Sequence, residues 1–202
     1  MSVLPLLLAL LLGQAAPPKA QGVRPPAPAG LSWDDADYVA GTLARIERRL
    51  GAGKPASRQP IVVTERQLNS YVRLAVKLPP AVTSVELGLQ RDTLLARGTL
   101  DLDQVKARMP QGAGLLALLS GTVPVELRGR LWSAEGKGRV EVEQATVAGI
   151  SLPASLVAQI VSQSTKNAER PQGVDILAPF GLPYTARRVR LEPGRALVEF
   201  YQ

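Results

Sequence analysis

The segment 85–102 reads VELGLQRDTLLARGTLDL and decides the fold. Every second residue from Val85 to Leu89 is apolar, Asp92 marks a turn, and every second residue from Leu94 to Leu102 is apolar or glycine. A period of two with one apolar face is typical of antiparallel strands that bury one side. The segment therefore predicts a β-hairpin with one face in the core.

The same alternation continues downstream. It returns from Val123 to Leu131 and again at Val140 and Val142. Its phase slips near Gln144, which predicts a β-bulge there. A final hairpin is predicted over 189–200, with its turn at Pro193-Gly194.

A first helix is predicted from Trp33 to Leu50, with Ser32 as its N-cap. Acidic residues cluster near its start and arginines near its end, as the helix macrodipole favours. We interpret the acidic cluster as dipole chemistry and not as a metal site. The acidic residues are Asp34, Asp35 and Asp37, and the arginines are Arg45, Arg48 and Arg49.

Two further helices are predicted. Thr64 with Gln67 matches a capping box, and Pro79-Pro80 is expected to end the helix that it starts. Pro153 opens a third helix that runs to Lys166. The predicted fold class is α+β: a curved antiparallel β-sheet meander wrapped around amphipathic helices and preceded by an N-terminal helix.

The N-terminal region predicts export. Residues 3–12 read VLPLLLALLL, a run too short for a comfortable membrane span, and small residues follow it. We expect a signal peptide over 1–20, a Pro/Ala-rich linker over 21–31 and a single domain over 32–202. The location is then periplasmic or secreted, or membrane-anchored if the leader is not cleaved.

The composition excludes several kinds of chemistry. The chain has no cysteine and no histidine, so disulfides, thiolate nucleophiles and histidine-based triads or metal sites are excluded. Ser162 and Lys166 lack the S-x-x-K spacing, because position 163 is glutamine. Two acidic pairs, Asp101/Asp103 and Glu141/Glu143, are interpreted as outward positions of a sheet. We predict a protein that is not an enzyme and that needs no cofactor.

The charge favours anionic partners. The formal net charge is +7 and the pI about 10.1, which suits lipid headgroups, anionic envelope polymers or nucleic acid. Export argues against intracellular nucleic acid, so we expect no nucleic-acid partner. We assign Arg187, Arg188 and Arg190 as a candidate headgroup cluster. The alternative is a solvated strand edge that resists aggregation.

The inward-facing residues suggest a groove. They are almost purely aliphatic, with glycines at 88, 98 and 129 that let a sheet curve or leave room beside it. An apolar groove between the sheet and the third helix is one interpretation, and an ordinary packed core is the other. The candidate groove residues are Leu87, Leu100, Leu127, Val142, Leu156 and Ile160.

A resemblance agrees with the groove interpretation. The segment Thr64-Glu-Arg-Gln-Leu-Asn69 resembles the T-E-x-x-L-N signature of small exported bacterial domains of the YpmS-like type. The V-x-G-I-x-L-P stretch from Val147 to Pro153 is similar to bacterial relatives of the tubular lipid-binding (TULIP) superfamily. The resemblance spans Ile61 to Gln202. It implies a curved sheet around a long helix and binding of lipid or another amphiphile at the envelope.

Our functional prediction is an exported envelope protein that binds a lipid or other amphiphile in an apolar groove. The alternative is a non-catalytic envelope scaffold or assembly partner with a solid core. A hydrolase that works without histidine is the third hypothesis, and it would depend on one of the acidic pairs.

Overall fold

The structure is a computed structural model that describes residues 24–78, 80–107, 120–165, 172 and 175–202. The signal peptide expected over 1–20 lies outside these residues. So does the apolar stretch 115–119, for which the sequence predicts a short helix or a loop. The fold is α+β, with an open, curved antiparallel sheet and an N-terminal helix. In chain order the elements are α1 (Trp33–Gly51), β1 (Ile61–Thr64), α2 (Glu65–Ser70) continuing as a π-helical turn (Tyr71–Ala75), β2 (Val82–Gln90), β3 (Thr93–Asp101), α3 (Leu102–Ala107), β4 (Thr122–Ala134), β5 (Lys137–Val147), β6 (Ile150–Ser151), α4 (Ala154–Thr165), β7 (Phe180–Gly181), β8 (Ala186–Glu192) and β9 (Arg195–Phe200).

The larger sheet has six strands, with β2-β3-β4-β5-β6 as neighbours and β7 paired to β5. Its long strands follow the predicted alternation, and the predicted hairpin over 85–102 is the β2–β3 pair. The inward residues of β2 to β5 belong to one hydrophobic core, which also receives residues of α1, α4 and the smaller sheet. Burial of this one apolar face is the main stabilising contribution that the pattern implies.

Two bulges bend the larger sheet. The β4–β5 register shifts at Arg128 and Gly129, leaving Glu143 as the extra residue, which confirms the bulge expected near Gln144. The β2–β3 register shifts between Val82 and Ser84, opposite Leu100 and Thr99 and next to Gly98. A Cβ added at Gly98 would collide with the carbonyl oxygen of Ser84. Glycine is therefore required where the bulge brings the two backbones together.

The smaller sheet has the order β1-β9-β8 and is antiparallel throughout. The C-terminal hairpin was predicted, and its pairing with β1 adds a third strand. The outer edge of β8 is closed by the larger sheet. Asp92 N donates to Leu191 O, Ser133 Oγ bonds both the N–H and the C=O of Val189, and Gly136 N donates to Arg187 O. The tips of the β2–β3 and β4–β5 hairpins thus satisfy backbone groups that would otherwise form an open strand edge.

The T-E-x-x-L-N segment closes a second edge. Asn69 Nδ2 donates to Leu87 O at 2.7 Å, and Leu87 N donates to Asn69 Oδ1 at 2.8 Å. Glu65 Oε2 accepts from Leu89 N at 2.7 Å. Asn69 is buried. The two side chains therefore hydrogen-bond the backbone of Leu87 and Leu89 along the free edge of β2, where a neighbouring strand is otherwise needed.

Both predicted helix caps are confirmed. Ser32 Oγ accepts from Asp34 N, and Thr64 and Gln67 form the complete capping box. The second helix ends earlier than predicted, because the backbone changes to the π-helical turn after Ser70 and leaves the helix at Val76, before the two prolines.

One acidic pair was placed wrongly by the sequence. Asp101 is the last residue of β3, whereas Asp103 lies in α3, so the two do not share a strand face. Asp101 Oδ1 accepts from the N–H groups of Asp103 and Gln104, which makes it the cap of α3. These hydrogen bonds, the side-chain bond from Gln104 first, lower the pKa of the Asp101 carboxyl. The apolar alternation continues past the end of β3, because Leu102 is apolar and is buried like the inward residues of the strand.

Candidate functional site

The predicted groove residues lie on the inward face of the larger sheet and on α4. Leu87 and Leu127 both stand opposite Ala96 in register, and Leu100 stands between Val82 and Val123. Leu87 is 1% exposed and Leu127 9%, so both are packed in the core.

The remaining groove residues lie nearby. Val142 and Leu156 are half-buried against the same core. The side chain of Ile160 lies outside the described part of the chain. The structure thus brings the described members to one side of the sheet, and a groove between them stays a prediction.

The predicted headgroup arginines follow one another along β8. Arg190 Nη2 bonds Glu199 Oε1 at 2.8 Å, and Arg188 stands opposite Glu199 in register. Arg187 is exposed at the irregular pairing near the start of the strand. Arg188 and Arg190 point away from the face that carries Val189 and Leu191. Their charge therefore lies on the outer face of the smaller sheet.

An apolar cavity that the sequence did not predict lies between α1 and the inner face of the smaller sheet. Its volume is about 90 Å³. Most of its lining residues are aliphatic or aromatic, and two of them, Thr42 and Tyr184, carry hydroxyl groups. The lining residues are Val39, Thr42, Leu43 and Ile46 of α1, Ile61, Val63, Val189, Val198 and Phe200 of the sheet, and Pro183, Tyr184 and Ala186 beside it.

Polar contacts fix the N-terminal end of α1 against α2. Arg66 Nε lies 2.9 Å from Asp35 Oδ2, and Ser32 N donates to Ser70 Oγ at 3.1 Å. Ala36 is fully buried. Arg24, just before the helix, bonds Asp37 at 2.6 Å. The helix is thus anchored at its start, while Thr42 and Ile46 of its second half face the cavity.

Tyr184 closes one side of the cavity. It and Thr185 both have positive φ, 56° and 57°, so the backbone turns sharply there. Its hydroxyl donates to Glu47 Oε1 on α1 at 3.1 Å. Burial first, then the bond to Glu47, raises the pKa of Tyr184 to about 12. Burial and the charge of Glu47 also raise the pKa of Tyr71. Both phenols stay neutral near neutral pH, and that of Tyr184 donates its hydrogen bond to Glu47.

A basic cleft adjoins the cavity. It is open to solvent, has a volume of about 910 Å³, and lies between the second half of α1 and the loop that leads to β1. We name its four cations the cleft cations; they are Arg45, Arg49, Lys54 and Arg58. The cavity and the cleft share three lining residues, Thr42, Ile46 and Ile61. An apolar space and a cationic space therefore meet along one line.

The cleft cations differ in their ion pairing from three arginines of the larger sheet. Within the described ranges none of them forms an ion pair, and the lining contains no aspartate or glutamate. Arg49 Nε donates to Pro55 O at 2.8 Å, which holds the loop against the helix. The arginines of the larger sheet differ, since Arg97, Arg128 and Arg130 all pair with glutamates across strands.

A sequence signal for the cleft existed. Residues 48–64 contain Arg48 and three of the cleft cations and no acidic residue. Arg45 and Arg49 are four apart, which places them on one side of a helix. By sequence alone, these arginines are explained as a favourable complement of the helix dipole, and the loop as a connection. The cavity had no such signal, because its two walls are distant in sequence.

The described residues contain no group of three or more acidic side chains placed to hold a metal ion. No helix among them is both long enough and apolar enough to cross a membrane. No protein-family model, no curated protein and no solved structure matches the chain.

Proposed function

We propose that the protein is an exported envelope protein that binds a lipid or another amphiphile, with the apolar part of the ligand between α1 and the smaller sheet. One observation carries the proposal: an apolar cavity opens beside a solvent-filled cleft, so one ligand can place an apolar and a polar part side by side. Apolar concavities with few polar groups are the usual form of such sites. The expected signal peptide and the resemblance to exported lipid-binding domains support a location in the envelope.

The volume limits what the closed form accepts. A cavity of about 90 Å³ is well below the roughly 300 to 1,000 Å³ of most ligand pockets, and it holds only the end of an acyl chain. A longer chain requires α1 and the sheet to separate. The ion pair of Asp35 with Arg66 and the buried Ala36 hold the start of the helix. We therefore expect the second half of α1 to move, which breaks the hydrogen bond between Tyr184 and Glu47.

The proposed role is binding and includes no chemical step. The chain has no histidine or cysteine to act as a base or nucleophile near neutral pH. The pKa of Tyr184 is about 12, so its hydroxyl serves as a donor and not as a base.

One observation favours the scaffold alternative. Leu87 and Leu127 are buried in the continuous core of the larger sheet, as a solid core requires. A scaffold protein would carry no ligand, neither along the larger sheet nor in the cavity beneath α1.

The first experiment is native mass spectrometry of the protein purified from its own envelope, followed by organic extraction. We expect a stoichiometric amphiphile, or a mass shift when lipid is added. A ligand-free mass that no added lipid shifts contradicts the proposal and leaves the scaffold alternative.

A pair of variants locates the site. Val198 points into the cavity, whereas its neighbour Leu197 points to the opposite face of β9. Val198→Phe should fill the cavity and weaken binding of the neutral apolar fluorophore N-phenyl-1-naphthylamine, and Leu197→Phe should leave it unchanged. Thr42→Leu fills the same space from the helix side and serves if Val198→Phe does not fold. Unchanged fluorophore binding in folded cavity variants would place the ligand elsewhere.

A further inference from the structure

We propose that the ligand is an anionic amphiphile and that the cleft cations bind a phosphate group in its headgroup. This inference rests on the proposed function, because it assigns the polar half of the same ligand. It identifies a headgroup site different from the β8 arginines to which the sequence pointed.

Position supports the assignment. Thr42, Ile46 and Ile61 line both the cavity and the cleft. An amphiphile with its tail end against these residues therefore has its headgroup in the cleft. The β8 arginines lie on the outer face of the smaller sheet, opposite the face that lines the cavity. A headgroup at Arg188 would have to be separated from its tail by the thickness of the sheet.

Charge supports it independently. The cleft has four cations, no acidic lining residue and no ion pair among the described residues. The negative end of the α1 dipole lies nearby, but it is equivalent to only about half an elementary charge. The four positive charges dominate, so the cleft is a site of positive potential that an anion would neutralise.

The types of cation favour phosphate. Arginine presents a planar set of N–H donors that matches phosphate oxygens in pairs, and lysine adds a point charge. Arg49 uses Nε on Pro55 O, which orients its guanidinium and leaves its Nη groups for a ligand. Arg45, Lys54 and Arg58 are exposed and reach the same cleft from the helix and from the loop. A zwitterionic headgroup would place a like charge among these cations, so we expect it to bind more weakly.

The test compares two short-chain lipids with identical tails on the full chain. Monomeric dihexanoyl phosphatidylglycerol is anionic and dihexanoyl phosphatidylcholine is zwitterionic. We expect calorimetric titration to show that the anionic lipid binds about tenfold more tightly. This preference should shrink at high salt because the cleft is open to screening ions.

Matched double variants assign the preference to one cluster. Arg45→Gln with Arg58→Gln should weaken binding of the anionic lipid more than binding of the zwitterionic lipid, which also carries a phosphate, and so remove most of the preference. Arg187→Gln with Arg188→Gln removes the same net charge from the outer face and should leave the preference intact. All four side chains are exposed, so both variants should keep the unfolding temperature of the parent.

The outcomes separate the two proposals. Binding of both lipids with equal affinity, or equal loss of preference in both double variants, overturns the headgroup site and leaves amphiphile binding standing. Glycerol 3-phosphate that binds as tightly as the anionic lipid shows that the cleft takes a free anion without a tail, which also overturns it. Failure of both lipids to bind contradicts the proposed function itself.

Discussion

The larger sheet and the α1 side of the molecule use similar residues in opposite ways. On the larger sheet the cations are paired, as in Arg128 with Glu143, and the free edge of β2 is closed by Asn69 and Glu65. On the α1 side an apolar cavity remains beneath the helix, and four cations are unpaired within the described part of the chain. One region satisfies its own polar groups, and in the proposed function the other presents polar and apolar groups to a ligand.

The difference separates stability from binding. A hydrogen-bonded buried polar group rigidifies the structure, because breaking its hydrogen bond leaves a buried donor or acceptor without a partner at a high cost in free energy. An unfilled apolar space forgoes packing energy that a ligand can supply. Changes in the larger sheet should therefore lower the free energy of unfolding without changing ligand affinity. Changes around α1 should change ligand affinity without lowering the free energy of unfolding.

The largest expected effect is at Asn69. Asn69→Ala leaves the buried N–H and C=O of Leu87 without partners, and should lower the free energy of unfolding by about 3 kcal/mol. Urea denaturation measures the loss, and hydrogen exchange should show a faster Leu87 amide. Gln67→Ala, which removes only half of the capping box on the same helix, should cost about 1 kcal/mol. Equal losses in the two variants would contradict the conclusion that Asn69 stabilises the edge of β2 by pairing with the Leu87 backbone.

A second, smaller loss is expected at Gly98. Gly98→Ala forces Cβ against Ser84 O at the bulge and should lower the free energy of unfolding by about 2 kcal/mol. Gly41→Ala is the control, since Gly41 lies in α1 with open space around its Cα. It should stabilise the helix by up to about 1 kcal/mol. A tolerated alanine at 98 would show that the two strands can separate at no cost.

A gain in stability with a loss of binding is expected at Thr42. Thr42→Leu adds apolar volume to the cavity and improves helix propensity, so it should raise the free energy of unfolding by about 1 kcal/mol. The same variant should weaken binding of the apolar fluorophore. Stability and affinity that change in the same direction would contradict the division between the two regions.

The smallest effect is the alkaline titration of Tyr184. Its pKa is raised from 10.0 to about 12 in the folded protein. The folded state therefore holds this proton more tightly than the unfolded state, and the stabilisation is complete below pH 10.0 and is lost as pH rises towards 12. Phenolate absorbance should show a late-titrating tyrosine that Tyr184→Phe removes. An unchanged titration curve would mean that neither the burial of Tyr184 nor its bond to Glu47 persists in solution.

Local features of the fold were predictable from local sequence. The alternation predicted the β2–β3 hairpin, the phase slip predicted the bulge at Glu143, and two hydroxyl side chains predicted two helix starts. Each depends on a few neighbouring residues. The same reasoning failed at Leu102, where burial continued beyond the strand and only the cap at Asp101 marked the change.

Of the cavity and the basic cleft, only the positive charge of the cleft could be predicted from the sequence. The excess of cations over 48–64 is local, but its availability depends on where acidic residues of other elements lie. The Arg187–Arg190 cluster looked similar in sequence, yet Glu199 of the next strand pairs with Arg190. Ion pairing across strands follows from register, which residue spacing within one strand does not specify.

The sequence by itself determined the long strands, their inward faces and the starts of the first two helices, because backbone periodicity and capping are short-range effects. Tertiary structure alone decided three features: β1 joins the C-terminal hairpin, Asn69 acts as the missing neighbour of β2, and α1 covers the smaller sheet above a cavity. Each joins segments that are distant in the chain. Their geometry is set by how the whole core packs, and no local pattern encodes that packing.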